Sequence, residues 1–203
     1  MDFNLFHAVN GLAGRSDLFE DLMRIFAVDA QYFFVALMAA LFLAAGRWAS
    51  ENLRRAVIAA GLSAGLALGI AQVISGFVER SRPYVTHPHS VHLFIPASAD
   101  PSFPSDHATA AFAISVSILL RNRRAGYVAI FVAVVMSVGR VAVGTHYPGD
   151  VLAGAALGAL AALFFWIPVI RRYVDLVADW LGGLYDRIWA TVTRKQVAAR
   201  PSA

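Results

Sequence analysis

Four apolar stretches of about bilayer-spanning length dictate what this chain can become. They cover roughly 30–46, 56–78, 126–144 and 151–170 of the 203 residues, and a helix needs about 20 apolar residues to cross a hydrocarbon core. A fifth stretch, 108–120, is short alone. It reaches crossing length if its helix begins at Pro104, because proline suits a first helical turn. No water satisfies backbone N–H and C=O groups inside a bilayer, so spans of this kind must be helical. The expected fold is therefore an all-α, polytopic membrane helix bundle: five spanning helices in one domain over 1–203. Composition agrees: the chain is 59% hydrophobic and only 15% charged, where a soluble domain carries nearer a quarter charged residues.

The remaining segments read as interfacial. Phe3, Leu5, Phe6, Val9 and Leu12 form a short amphipathic stretch ended by Gly11 and Gly14. Residues 3–13 are expected at the interface, with a sixth span as the alternative. Ser16, Asp17 and Glu20 give a capping signal for a second helix that leads into the first span. In 173–192, Val174, Val177, Leu181, Leu184, Tyr185 and Ile188 recur near helical spacing, opposite Asp175, Asp179, Asp186 and Arg187. That pattern predicts a C-terminal amphipathic helix on the membrane surface. Residues 193–203 read as a frayed tail. Residues 1–16 lack the basic start and apolar core of a cleavable signal peptide. Gly61-x3-Gly65-x3-Gly69 and Gly154-x3-Gly158 read as small-residue ridges for close helix packing. Tyr32, Phe33, Phe34 and Trp166 read as lipid or helix contacts.

Charge sets the orientation. The pI near 9.8 could suggest a nucleic-acid partner, but the basic residues sit in short clusters between apolar runs, which membrane topology explains better. In the five-span arrangement Arg47, Arg54, Arg55, Arg121, Arg123, Arg124, Arg171 and Arg172 share one side, joined by Arg187, Arg194, Lys195 and Arg200. The other side has Arg15, Arg24, Arg80, Arg82 and Arg140. The positive-inside rule makes the first side cytoplasmic and turns the 79–103 loop outward.

Three polar clusters then fall at that one outer face: Arg82-Pro83, Pro104-Ser105-Asp106-His107, and Arg140 with His146 and Asp150. Ionisable residues at membrane depth are costly, so such a cluster is by default a functional-site hypothesis. Asp150 follows His146 by one helical turn, and a carboxylate beside an imidazole holds one ring nitrogen protonated and leaves the other free. A helix starting near Ser105 presents unpaired amides to an anion, and His107 would hang over that anion as a proton donor. Arg82 and Arg140 suit bidentate contact with phosphate oxygens. Singly, each cluster also fits a plain role: a capping Asp150 beside an unrelated His146, an ordinary N-cap at Ser105, headgroup contact by Arg140, a loop charge at Arg82. Arg80 reads as a solvated loop charge that could pair with Glu79. Asp106 would repel a bound phosphate unless it points away or caps the helix. His87, His89 and His92 share the outer loop without a completing carboxylate, so a solvated loop or lid is expected there rather than a metal site. His7 reads as interfacial. With no cysteine in the chain, thiolate chemistry is excluded.

In order and spacing these clusters resemble the type-2 phosphatidic acid phosphatase superfamily, with its Arg-Pro, Pro-Ser-x-His and Arg-x5-His-x3-Asp motifs. The resemblance covers roughly 75–150 by motif. The longer strings Ile95-Pro96-Ala97, Asp100-Pro101-Ser102-Phe103-Pro104-Ser105-Asp106-His107, Leu120-Arg121-Asn122-Arg123 and Gly144-Thr145-His146-Tyr147-Pro148 resemble its bacitracin-resistance branch, the undecaprenyl-diphosphate phosphatases. The resemblance implies a phosphatase without metal or other cofactor. His146 would form a phosphohistidine, Asp150 would orient it, and His107 would protonate the leaving group. Arg82, Ser105 and Arg140 would hold the phosphate. It also implies a polyprenyl diphosphate lipid as substrate, a bacterial inner membrane and an outward-facing site that recycles the cell-wall lipid carrier. Other lipid phosphates, or a non-enzymatic transporter, are the alternatives. Three positions depart from the pattern. Ser75 stands where the family has Lys, leaving Arg80 as a possible substitute. Gly139 stands where Ser is usual, and Asp106 where Gly is commoner.

Overall fold

Each apolar stretch forms a helix, and short polar residues or prolines mark most of the starts. The computed structural model describes residues 2–13, 15–47 and 50–198, apart from the side chains of Ala13, Arg47 and 192–198. Gly14, the side chains of Arg47, Arg194 and Lys195, Arg200, and residues 199–203 of the expected tail lie outside that description. The described residues form α1 (Asp2–Ala13), α2 (Asp17–Val28), α3 (Ala30–Arg47), α4 (Glu51–Val78), α5 (Pro83–Thr86), α6 (Asp106–Leu119), α7 (Arg123–Ala142), α8 (Pro148–Trp166) and α9 (Pro168–Ala198). Ser16 caps α2 as expected, accepting from the Phe19 N–H, and Asn122 caps α7 by accepting from Ala125. Proline opens α5 and α8, where its missing N–H costs nothing.

Three helices are alone long and apolar enough to cross a membrane: α4, α7 and α8. The pair α2 and α3 meets the same test only together and bends by 49°. The bend falls at Asp29, the C-cap of α2. The fifth expected span is α6. It starts at Asp106 rather than Pro104 and has 14 residues, about 21 Å of helix against a hydrocarbon core of about 30 Å. It packs against α4, α7 and α8.

The contact between α6 and α8 is the most extensive between any two helices described, and glycine makes it possible. A Cβ on Gly154 would lie 2.6 Å from the Ser105 carbonyl oxygen, and one on Gly158 would lie 2.7 Å from the Ala113 nitrogen. The other ridge behaves differently. Gly65 and Gly69 have open space where a Cβ would stand, and Gly61 has only the tip of Met38 at 3.8 Å. The close face of α4 is instead built from buried Ala60, Ser63, Ala67 and Ala71. Ser63 accepts a hydrogen bond from the Ser117 hydroxyl of α6 at 2.9 Å. Small residues with a Cβ suffice there.

Helix α1 is not merely laid on the surface. Phe6 and Asn10 are fully buried against α7 and α8. The Asn10 amide donates to the carbonyls of His92 and Ala142, each at 2.8 Å, and its oxygen accepts from the His92 N–H at 3.0 Å. One side chain thus pins the 79–103 loop to the end of α7. The His87 ring packs on Phe3 with centroids 3.9 Å apart, so this part of the histidine loop is docked on α1 instead of standing free in solvent.

Helix α9 is longer than 173–192 and takes in the start of the expected frayed tail. Its acids turn inward: Asp186 pairs with Arg54 at 2.6 Å, Asp179 with Arg55 at 2.7 Å, and Asp175 with Arg121 at 2.6 Å. Tyr173, Leu176, Val177, Trp180 and Ile188 are exposed on the opposite face. The basic rim of α4 and α6 attracts the charged face, which leaves the apolar face for lipid. Trp166 receives the guanidinium groups of Arg121 and Arg171, the nearer at 4.6 Å, so it serves a cation as well as helix packing.

Gly158→Ala will lower the thermal stability of the detergent-purified protein by about 1–3 kcal/mol, the usual range for overpacking. Gly65→Ala, in open space, will leave it unchanged or slightly raised. Thermal denaturation followed by size-exclusion recovery distinguishes the two.

Candidate active site

The glycine contact places the starts of α6 and α8 side by side. The Ser105 N–H donates to the Asp150 carbonyl at 3.1 Å. The short turn from Val143 to Tyr147 then sets His146 between these helices and the end of α7. Gly144 in this turn has φ +89°, and a Cβ there would lie 2.6 Å from the His92 carbonyl oxygen. Glycine is required at this point on both counts.

His146 has a defined tautomer. Its Nδ1 lies 2.8 Å from the Ser102 carbonyl oxygen, and a carbonyl can only accept. Nδ1 therefore carries the proton and Nε2 carries the lone pair. Arg82 Nη1 and Arg140 Nη2 each stand 3.4 Å from that Nε2. Both arginines are about 7% exposed, and neither pairs with a carboxylate among the described residues. Arg82 is held by the carbonyls of Asp100 at 2.8 Å and Thr145 at 3.3 Å. Arg140 donates to the Ala27 carbonyl at 3.3 Å, and its buried Nε has no partner. Two desolvated cations converging on one lone pair are an arrangement suited to an anion. Burial, then the charges of Arg140 and Arg82, hold the imidazole well below its usual pKa, with the Ser102 carbonyl opposing them.

A cavity of about 320 Å³ opens over this pair, lined in part by Arg82, Arg140, His146, His107 and Asp106. An apolar groove of about 300 Å³ adjoins it, shares Gln31, Asp106 and His107, and continues along Phe34, Met38, Leu68 and Ile114. Four of the expected site residues, Arg82, His107, Arg140 and His146, thus face one cavity. Asp106 lies where cavity and groove meet and accepts from the Gln72 amide at 3.0 Å. The helix cap is Ser105, not Asp106. Ser105 is fully buried with an unpartnered hydroxyl, and it stands behind the residues that line the cavity.

Two expectations need correction. Asp150 does not hydrogen-bond His146, because its nearer oxygen is 3.9 Å from Nδ1. That oxygen accepts instead from the Ser102 hydroxyl at 2.5 Å and the Tyr147 N–H at 2.8 Å. Arg80 is neither a solvated charge nor a substitute phosphate contact. Its two terminal nitrogens are taken by Asp150 and Asp2, each at 2.6 Å, and its guanidinium stacks 4.1 Å over the Tyr147 ring. Two carboxylates on the Nδ1 side of His146 outcompete the cavity for this cation. Sequence reasoning also missed Ser102, Thr145, Asn10 and Asp2 as site supports. Ser102 and Thr145 lie inside motif strings that drew attention to their neighbours, whereas nothing in the sequence ties Asp2 to Gly149, 147 positions away.

Residues 56–173 match the PAP2 superfamily. Undecaprenyl-diphosphatase BcrC of Bacillus subtilis is 32% identical over 96% of this chain and 97% of its own length. The bacitracin transport permease protein BcrC of Bacillus licheniformis is 29% identical over 93% of this chain and 89% of its own. Among solved structures, LpxE of Aquifex aeolicus superposes with a TM-score of 0.63 at 23% identity, over 80% of this chain and 93% of its own. The chain belongs to the PAP2 superfamily, the type-2 phosphatidic acid phosphatases. It is a helical membrane phosphatase of that class.

Since protonating His146 would set a third positive charge beside two guanidinium groups, the neutral ring persists as pH falls past its ordinary value of 6.5. Nitrogen-15 NMR of labelled His146 will show a neutral Nδ1–H tautomer well below pH 6.5. A titration centred near 6.5 would mean that the arginines do not crowd Nε2.

Proposed function

We propose that this phosphatase hydrolyses undecaprenyl diphosphate to undecaprenyl phosphate and inorganic phosphate through a phosphohistidine at His146. The observation that carries the reading is the convergence of Arg82 and Arg140, both buried and uncompensated, on the free Nε2. A terminal phosphate bound there would neutralise both cations and present phosphorus to the lone pair. The Nε2–P bond forms as the bond from phosphorus to the bridging oxygen breaks. Positioned positive charge is the main catalytic resource for such transfer. Once a bound phosphate offsets the charges of Arg82 and Arg140, His107 at the mouth of the groove takes up a proton, gives it to the departing lipid phosphate and then accepts one from the water that cleaves the P–N bond. The Nδ1–H keeps donating to the Ser102 carbonyl throughout, which fixes the ring while it carries charge.

The groove supports a long apolar chain as the remainder of the substrate. It meets the cavity at His107 and is lined by α3, α4 and α6 side chains. The similarity to undecaprenyl-diphosphatase BcrC, which spans nearly all of both chains, favours the polyprenyl diphosphate over other lipid phosphates. The charge asymmetry supports a site at the outer face of a bacterial inner membrane, where cell-wall polymerisation releases that diphosphate. Hydrolysis there recycles the carrier and removes the target that bacitracin sequesters.

Detergent-purified protein with a chelator present will release phosphate from undecaprenyl diphosphate, and His146→Ala will release none. A folded wild type that acts on lipid A or phosphatidylglycerol phosphate instead would reassign the substrate. Equal release by the variant would remove His146 as nucleophile.

A further inference from the structure

Behind the nucleophile, Ser102 is the centre of a closed ring of contacts. Its N–H donates to the Arg80 carbonyl at 2.7 Å. Its carbonyl accepts from His146 Nδ1 at 2.8 Å, and its hydroxyl donates to Asp150 at 2.5 Å. Arg80 closes the ring by gripping the other Asp150 oxygen at 2.6 Å. Asp150 therefore acts on the imidazole through Ser102 and does not touch it. What holds the ring from outside is Asp2, on α1. One oxygen of Asp2 takes the second Arg80 nitrogen at 2.6 Å, and the other accepts from the Gly149 N–H at 2.9 Å, in the first turn of α8. That turn carries the partial positive charge of a helix start, which suits a carboxylate.

We propose that Asp2 is a positioning residue for the phosphatase reaction and that α1 is part of the catalytic apparatus. The proposal rests on His146 being the nucleophile. Asp2 fixes Arg80 and the start of α8 with one carboxylate. Arg80 in turn fixes Asp150 from its side chain and Ser102 from its backbone, and Ser102 sets the direction of the Nε2 lone pair. Without Asp2, half of the Arg80 fork has no partner. The guanidinium can then leave the Tyr147 ring and carry Asp150 with it, and a nucleophile misaligned by about an ångström loses a large share of its rate. The phosphate itself is still held by Arg82 and Arg140, which Asp2 does not touch. The effect therefore falls on the chemical step more than on binding.

The test compares the wild type, Asp2→Ala, Asp2→Glu and His146→Ala on undecaprenyl diphosphate, with the phosphoenzyme counted after acid-free quenching. Asp2→Ala is expected to lower kcat per phosphorylatable site by roughly 10- to 100-fold, the usual scale for supporting-shell losses. Its KM should stay within about twofold of the wild type, and Asp2→Glu should recover most of the rate. A purely structural role would lower the number of competent sites and leave the rate per site unchanged, which overturns the proposal. An unchanged rate for Asp2→Ala overturns it as well. Turnover by His146→Ala would overturn the underlying reading instead, and that arm is scored independently of the Asp2 variants.

Discussion

Backbone contact between α6 and α8 is the constraint from which the site follows. With Gly154 and Gly158 facing the Ser105–Ala113 stretch, the two helices approach until the Ser105 N–H reaches the Asp150 carbonyl. Any larger side chain at either glycine would push the helix starts apart. That register places the Pro-Ser-x-His segment opposite the His146 turn, and it lets the loop residue Ser102 fit between His146 and Asp150. In a bilayer, where apolar burial gives helices little net attraction, such close packing and interhelical hydrogen bonds carry the association.

Electrostatics then separates the two sides of His146. On the Nδ1 side the charges balance: Arg80 is shared by Asp2 and Asp150. On the Nε2 side Arg82 and Arg140 contact carbonyl oxygens and the His146 nitrogen, and neither pairs with a carboxylate among the described residues. Removing a charge from water without a counter-ion is expensive, so this pair is a standing demand for an anion. The opposite rim of the bundle shows the alternative, with Arg54, Arg55 and Arg121 each paired with an acid of α9. The same residue type is thus paired at one end and left without a carboxylate partner among the described residues at the other.

Much of this was legible in the chain. The apolar stretches foretold α3, α4, α7 and α8, because periodicity and length are local properties. The spacing of Arg140, His146 and Asp150 foretold their nearness, since a helix end and a short turn leave few other arrangements. Other assignments failed for reasons of neighbourhood. Gly61, Gly65 and Gly69 look like Gly154 and Gly158 in sequence, yet they face open space, because which side of a helix meets a partner depends on all the other helices. Asp150 was expected on the imidazole, but Ser102, 48 residues earlier, occupies that place.

Sequence by itself determined the membrane bundle, the candidate site residues and their confinement to one end of the helices. Those are consequences of hydropathy, helical repeat and the cost of charge in hydrocarbon, all of which act along the chain. Tertiary structure decided which nitrogen of His146 is free, that Asp150 contacts Ser102 rather than the imidazole, and that Arg80 pairs with two carboxylates. Each of these turns on a distance of a few ångströms between residues far apart in sequence. Only the packing of α1, the outer loop and the starts of α6 and α8 against one another fixes such distances.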